Sequence, residues 1–309
     1  MAMEGTLVRE PQAPELAIPV AAPSLCEARL DEIISEGLPT LPSYVFELDA
    51  RLKATPVVWS DIAWLVGVDP CLTAQVLRVC HTMPFATPVL SIDAAIAIAG
   101  EARLRAIALT SPLFLEPQIR GRRGAAEARR ATRHLFWQHS PWIALLSERI
   151  AEWTGYPDPA RAYTAGLLHD IGKVPLMLEG ITTDSTTEQS NHYVAIGKLL
   201  AEAWHYPPIL IEALEFHGCP RRASLDPALT GIVAAADQYS ERSGSGEAAG
   251  SHGPPPEANE ISGLLRDCLP ALSLDDAARV AAQIECELPS MLVTLGRRLS
   301  CGYSSRQRF

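Results

Sequence analysis

The chain has 309 residues, 48% hydrophobic and 20% charged, and a net charge of −10 at neutral pH. That composition excludes a disordered, collagen-like or fibrous protein. The acidic balance tells against a general nucleic-acid binder, because most of such a surface repels a phosphate backbone.

Residues 1–24, with Pro11, Pro14, Pro19 and Pro23, read as a flexible leader. Its acids and prolines stand where a signal peptide needs basic residues and then an apolar run. Helical signals follow in close succession. Cys26–Glu36 ends at Gly37, and the turn Leu38–Pro42 opens a second helix through Lys53. Ser60-Asp61 is a candidate cap for a short helix ending at Gly67, and Asp69-Pro70 starts Pro70–His81. Ser91 caps Ile92–Ala99, and Glu101–Thr110 continues after Gly100. A long pattern from Ala125 to Trp153 is interrupted by Pro141, which either kinks one helix or opens a new one capped by Ser140. Ala160–Asp170, Asn191–Trp204, Pro208–His217 and Pro227–Glu241 follow. Ser243–Asn259 is a Gly/Ser/Pro linker, and Ile261–Leu269 with Leu274–Leu299 forms a helical tail. No run alternates as a strand, so the expected fold is all-α. The most apolar stretch, Ile92–Leu115, is broken by Glu101, Arg103 and Arg105, so no membrane span is expected. Seven cysteines without a Cys-x-x-Cys pair fit a reducing, cytoplasmic setting better than a disulfide framework.

One constellation carries chemistry. In Ala165-Gly-Leu-Leu-His169-Asp170-Ile-Gly172-Lys173 an apolar run ends in two metal-competent side chains. A buried carboxylate there needs a partner or a metal. Imidazole with carboxylate suits Zn, Fe, Mn or Ni, and further ligands are His139 (Trp-Gln-His-Ser) and Asp237 (Ala-Ala-Ala-Asp). His192 and His217 are candidates for a second ion, Asp170 is the catalytic candidate, and Lys173 is placed to neutralise a phosphate oxygen. His81, His134, His205 and His252 are assigned to surface or helix-end positions. The arginines at 120, 122, 123, 129, 130 and 133 read as a solvated linker between lobes, and the six tryptophans mostly as core or lobe-interface packing.

The order His139…His169-Asp170…Asp237 resembles the HD superfamily of metal-dependent phosphohydrolases. Gly37-Leu-Pro-Thr-Leu-Pro42, Asp69-Pro-Cys-Leu-Thr-Ala-Gln-Val-Leu-Arg78, Trp137-Gln-His-Ser140, Ala165–Gly172 and His192…Gly197 narrow the likeness, over residues 36–242, to the HDOD subgroup. That resemblance implies a two-lobed helical domain of bacterial signalling, used as an interaction or regulatory module. It divides the chain into an N-terminal lobe (25–124), an HD-type lobe (125–242), the linker (243–259) and the tail (260–309). His139, His169, Asp170 and Asp237 take the primary ligand positions. His192 and His217 match second-site positions of the related HD-GYP phosphodiesterases, but Gly218 replaces a further histidine and the Gly-Tyr-Pro signature is missing.

The resulting expectation is a regulatory protein acting through a signalling protein partner, with one or two divalent transition ions in a retained pocket. The alternative is a metal-dependent phosphohydrolase acting on a nucleotide or cyclic dinucleotide.

Overall fold

Three Asp-Pro dipeptides set where the central helices begin. At each, the aspartate side chain accepts a hydrogen bond from an amide of the first turn, and proline, which has no N–H to leave unpaired, occupies the first helical position. Asp69 accepts from Leu72 N at 2.8 Å, Asp158 from Arg161 N at 3.1 Å and Asp226 from Leu229 N at 3.0 Å.

A computed structural model describes residues 27–83, 88–114, 123–181, 187–242 and 257–303. The elements are α1 Glu27–Glu36, α2 Pro42–Leu52, α3 Trp59–Gly67, α4 Pro70–His81, α5 Ile92–Thr110, α6 Arg123–Thr154, α7 Pro159–Leu168, α8 Lys173–Leu178, α9 Thr187–Ala203, α10 Pro208–Phe216, a 3-10 turn Pro220–Arg222, α11 Pro227–Arg242, α12 Ala258–Cys268 and α13 Leu274–Tyr303. No strand occurs among the described residues; Thr40 and Leu113 form one isolated parallel bridge. The fold is all-α.

The structure corrects the expected elements at several points. Helix α3 begins at Trp59 behind Val58, which makes no side-chain cap, so Ser60 and Asp61 lie inside the helix. Gly100, as expected, separates Ile92–Ala99 from Glu101–Thr110, breaking α5 with φ 67° and ψ 174°, a conformation open to glycine. Pro141 sits inside one continuous α6, not at the start of a new helix. Helix α8 was not expected at all. Residues 1–26 and 243–256, Arg120, Arg122 and the side chains of Arg123, Arg129 and Arg130 lie outside the described residues; the Arg133 guanidinium stacks over the Phe114 ring.

Two apolar cores form, and α6 and α7 serve both. The first joins α1–α5 with Phe136 and Trp137 of α6, Leu167 and Leu168 of α7, and buried residues of α8 and α9. The second takes the other faces, Trp142, Ile143 and Leu146 of α6 and Ala162 and Ala165 of α7, and packs them on α10–α13. Trp137, Trp142 and Trp204 are buried, whereas Trp59 is exposed. No single described helix is long and apolar enough to cross a membrane; the bent pair α3–α4 would do so only jointly, and α4 is largely buried within the protein.

Hydrogen bonds between distant residues fasten the N-terminal helices to the rest. Tyr163 Oη donates to Gly67 O (2.8 Å), Tyr206 Oη to Ala74 O (2.8 Å) and Trp204 Nε1 to Ile34 O (3.0 Å), while Thr164 Oγ1 accepts from Ile92 N (3.1 Å). Trp137 Nε1 donates to the carboxylate of Asp69 at 3.1 Å. Asp69 is fully buried, and its desolvation outweighs these donors, pushing its pKa up to about 6.

Replacing Trp137 by Phe strips one donor from a buried carboxylate, which should cost about 1–3 kcal/mol. A folded-state pKa above the unfolded value means that the contribution of Asp69 is full below about pH 4 and is lost as pH rises through about 6. Loss of the indole donor widens that shift. Denaturant titrations should therefore show Trp137→Phe closer to wild type at pH 4.5 than at pH 8; an equal deficit at both would refute the assignment.

Candidate metal centre

His139 lies on α6, His169 at the C-cap of α7, Asp170 in the turn that follows, and Asp237 on α11. His169 stands ten residues beyond Pro159, and Asp237 ten beyond Pro227. At 1.5 Å per residue each is about 15 Å from its helix start. The two starts are fastened together. Arg161 pairs with Asp158 (3.2 Å) and reaches Asp226 (3.6 Å), and Tyr156 Oη donates to Asp226 at 2.6 Å. Buried Glu212 then fixes the loop ahead of α11 by accepting from the backbone amides of Ser224, Leu225 and Asp226 at 2.6–2.9 Å. With their origins aligned and their lengths matched, α7 and α11 deliver their ligand atoms to one point.

That point is crowded with nitrogen and oxygen. His139 Nε2 lies 3.2 Å from His169 Nε2 and 3.2 Å from Asp237 Oδ1. His169 Nε2 lies 3.5 Å from Asp237 Oδ1 and 3.2 Å from Asp170 Oδ2, which is 3.7 Å from His139 Nε2. His217, at the C-cap of α10, packs its ring edge-on to His169 and brings Nε2 within 3.9 Å of Asp170 Oδ1. Two tautomers are set by backbone carbonyls: Nδ1 of His169 faces Gly166 O at 2.8 Å and Nδ1 of His217 faces Leu214 O at 2.9 Å. A proton on Nδ1 leaves the Nε2 lone pair of each neutral ring turned inward.

Charge compensation is tight. Burial lowers the pKa of His169, but Asp170 and Asp237 outweigh it and push the ring up to about 10. Burial raises both carboxyls, yet His169 and Lys173 hold Asp170 well below the usual range, and His139 and His169 do the same for Asp237. Burial and the neighbouring His169 lower His217. Lys173 Nζ sits 2.6 Å from Asp170 Oδ2, with the Tyr193 ring beneath it at 4.8 Å. Lys173 is itself buried, so it serves Asp170 rather than an open phosphate position.

These residues fit a divalent transition ion. Bonds of about 2.0–2.2 Å from one ion place neighbouring donors about 2.8–3.6 Å apart across octahedral and tetrahedral arrangements. The spacings among His139, His169 and Asp237 fall within that range. Asp170 Oδ1 is buried without a hydrogen-bond partner, as a waiting ligand atom would be. His139, His169, Asp170, Asp237 and His217 thus come together. His192 does not: it is half-buried on α9, has no hydrogen bond, ion pair or ring contact with the others, and its buried Nε2 has no partner. The chain after Asp170 is held by Gly172, where an added Cβ would sit 1.9 Å from Tyr193 O and 2.5 Å from Gly197 N. Arg161, Tyr156, Asp226 and Glu212 escaped the sequence reading. The repeated Asp-Pro start at 158 and 226 was the available signal for one of them, Asp226.

Comparison with known proteins places residues 38–220 in a match to the HDOD domain family. The MmoQ response regulator of Methylococcus capsulatus is similar in structure, with TM-score 0.53 and 20% identity over 80% of this chain and 98% of that one. A virulence factor from Campylobacter jejuni gives TM-score 0.57 and 18% identity over 82% of this chain and 94% of that one. In sequence, ribonuclease Y of Mycoplasma mycoides is 34% identical over 102 residues, 33% of this chain. The chain spans about a fifth (21%) of that relative's length.

Because Arg161 and Tyr156 converge on Asp226, their effects should not add. Tyr156→Phe removes a charge-assisted bond and should cost about 1.5–3 kcal/mol; with Arg161→Met added, the total should fall short of the sum. A double-mutant cycle in urea checks the coupling, and strict additivity would refute it.

Proposed function

The chain belongs to the HDOD domain family, and on that premise we propose that it is a regulatory domain of bacterial signalling carrying one divalent transition ion on His139, His169, Asp170 and Asp237. The observation that carries this reading is the approach of both Nε2 atoms and Asp237 Oδ1 to within 3.5 Å of one another in a nearly closed site. Structural ion sites are closed, whereas catalytic ones keep a coordination position open. Three of the four donors, His139, His169 and Asp170, are buried, Asp237 is partly covered, and Lys173 is turned onto Asp170. A bound Zn, Fe, Mn or Ni ion would neutralise the two carboxylates and add its ligation energy to folding. The chain's own residues do the rest: Gly166 O orients His169, Lys173 balances Asp170, and the first core shields both from water. Similarity to a response regulator favours a signalling role, and in this reading the role is exercised through a protein partner in the cytoplasm.

A second reading, a metal-dependent phosphohydrolase acting on a nucleotide or cyclic dinucleotide, has one observation in its favour. The Asp237 side chain keeps 18% of its surface exposed, which leaves one side from which a phosphoester could approach. The partial match to a protein named as a ribonuclease points the same way. In that reading the ion would polarise the phosphoryl group, and Lys173 would keep Asp170 ionised.

Elemental analysis of purified protein should find about one transition ion per chain, lost in His169→Ala and Asp170→Ala, and chelation should lower the melting temperature. Incubation with nucleotides and cyclic dinucleotides should give no turnover. Metal-dependent turnover abolished in both variants would replace the regulatory reading with the hydrolase, and a metal-free protein with an unchanged melt would remove both.

A further inference from the structure

The 3-10 turn Pro220–Arg222, α11 and the end of α12 line an open cleft of about 430 Å³. This is within the usual volume of small-ligand sites, about 300–1,000 Å³. Its walls carry Arg221, Arg222, Gln238 and Asp267, with Cys219 exposed on one side and Cys268 buried opposite. In a chain of net charge −10, two guanidiniums against one carboxylate make a local basic concavity. Neither arginine is committed to a strong partner there. The Arg221–Asp267 contact is 3.4 Å long with both side chains 77% exposed, a pair that contributes little and exchanges readily. The Arg222 guanidinium lies over the Phe216 ring at 4.9 Å, a contact that occupies none of its N–H donors with an acceptor. Gln238 makes only a long contact of 3.8 Å to Cys268 Sγ, so its carboxamide can turn to a ligand. Sulfur, proline and the arginine stems supply an apolar bed.

We propose that this cleft binds a small organic phosphate of nucleoside-monophosphate size, its phosphate on the Arg221 and Arg222 forks and its body against Cys268 and Gln238. Both arginines line the cleft, and each guanidinium fork suits bidentate bonding to phosphate oxygens. The site is distinct from the ion ligands and stands whether or not the metal reading holds.

Cys219 provides the readout, because it is an exposed thiol on the cleft wall, and exposed Cys286 on α13 provides an internal reference. Alkylation of the full-length protein is followed at each cysteine by peptide mass mapping, with adenosine and guanosine monophosphates or inorganic phosphate present. With nucleotide at ten times its dissociation constant, labelling of Cys219 should slow about tenfold and that of Cys286 should not change. The double variant Arg221→Gln/Arg222→Gln, altered only at exposed positions, should lose the protection while keeping its melting temperature. Protection by inorganic phosphate alone would support the phosphate site and assign little to the apolar bed. No protection at millimolar nucleotide and phosphate, or protection that survives the double variant, would overturn the proposal.

Discussion

Two carboxylates with little access to water demand positive charge, and the centre of this fold is organised around meeting that demand. Asp170 and Asp237 lie among His139, His169 and His217, and Lys173 supplies a permanent cation at 2.6 Å from one of them. The same carboxylates favour a proton on His169, so a proton and a divalent ion compete for one position. Loss of both carboxylates would leave the imidazoles with nothing to gather, and loss of His139 and His169 would leave Asp237 without the groups that compensate it, Asp170 keeping Lys173.

Bringing the donors to that position is a problem of helix register, solved at the opposite end of the helices. Arg161 and Tyr156 tie the cap of α7 to the cap of α11, and Glu212 holds the loop that leads into the second. From that common origin, equal helical spans reach His169 and Asp237. Helix α6, unbroken through Pro141, adds His139 from a third direction. The Gly166 contact, where an added Cβ would lie 2.9 Å from Ile143 O, lets α7 lie close enough to α6 for the two imidazoles to meet.

Much of this was legible in the sequence because it is written in local signals. Prolines, caps and helical periodicity located the long helices, and His139, His169, Asp170 and Asp237 stood out as polar residues in apolar surroundings. The unexpected parts depend on partners far along the chain. Helix α8 is only six residues long, too short for a periodic signal. The tie of Tyr156 to Asp226 spans seventy positions, and Lys173 facing Asp170 rather than solvent follows from the turn between them. His192 matched a pattern, but a match does not fix where a side chain on α9 points. The helices beyond the linker read as an appended tail, yet Ile261, Leu265, Val280 and Ile284 are buried in the second core.

The fastenings between the N-terminal helices and the rest have an evolutionary corollary. Among the hydrogen bonds described across this boundary, Tyr163, Trp204 and Tyr206 grip peptide carbonyls, Thr164 holds a peptide amide, and Trp137 meets a side chain, that of Asp69; Arg29 with Glu179, Arg78 over Trp204 and His81 against Tyr206 add side-chain contacts. A carbonyl is offered by every amino acid. The receiving helices α1, α3 and α4 are therefore free to drift in sequence at the positions that offer only a carbonyl, provided Asp69, the side-chain contacts of Arg29, Arg78 and His81 and their packing volume persist. Architecture held in this way can outlast recognisable sequence identity.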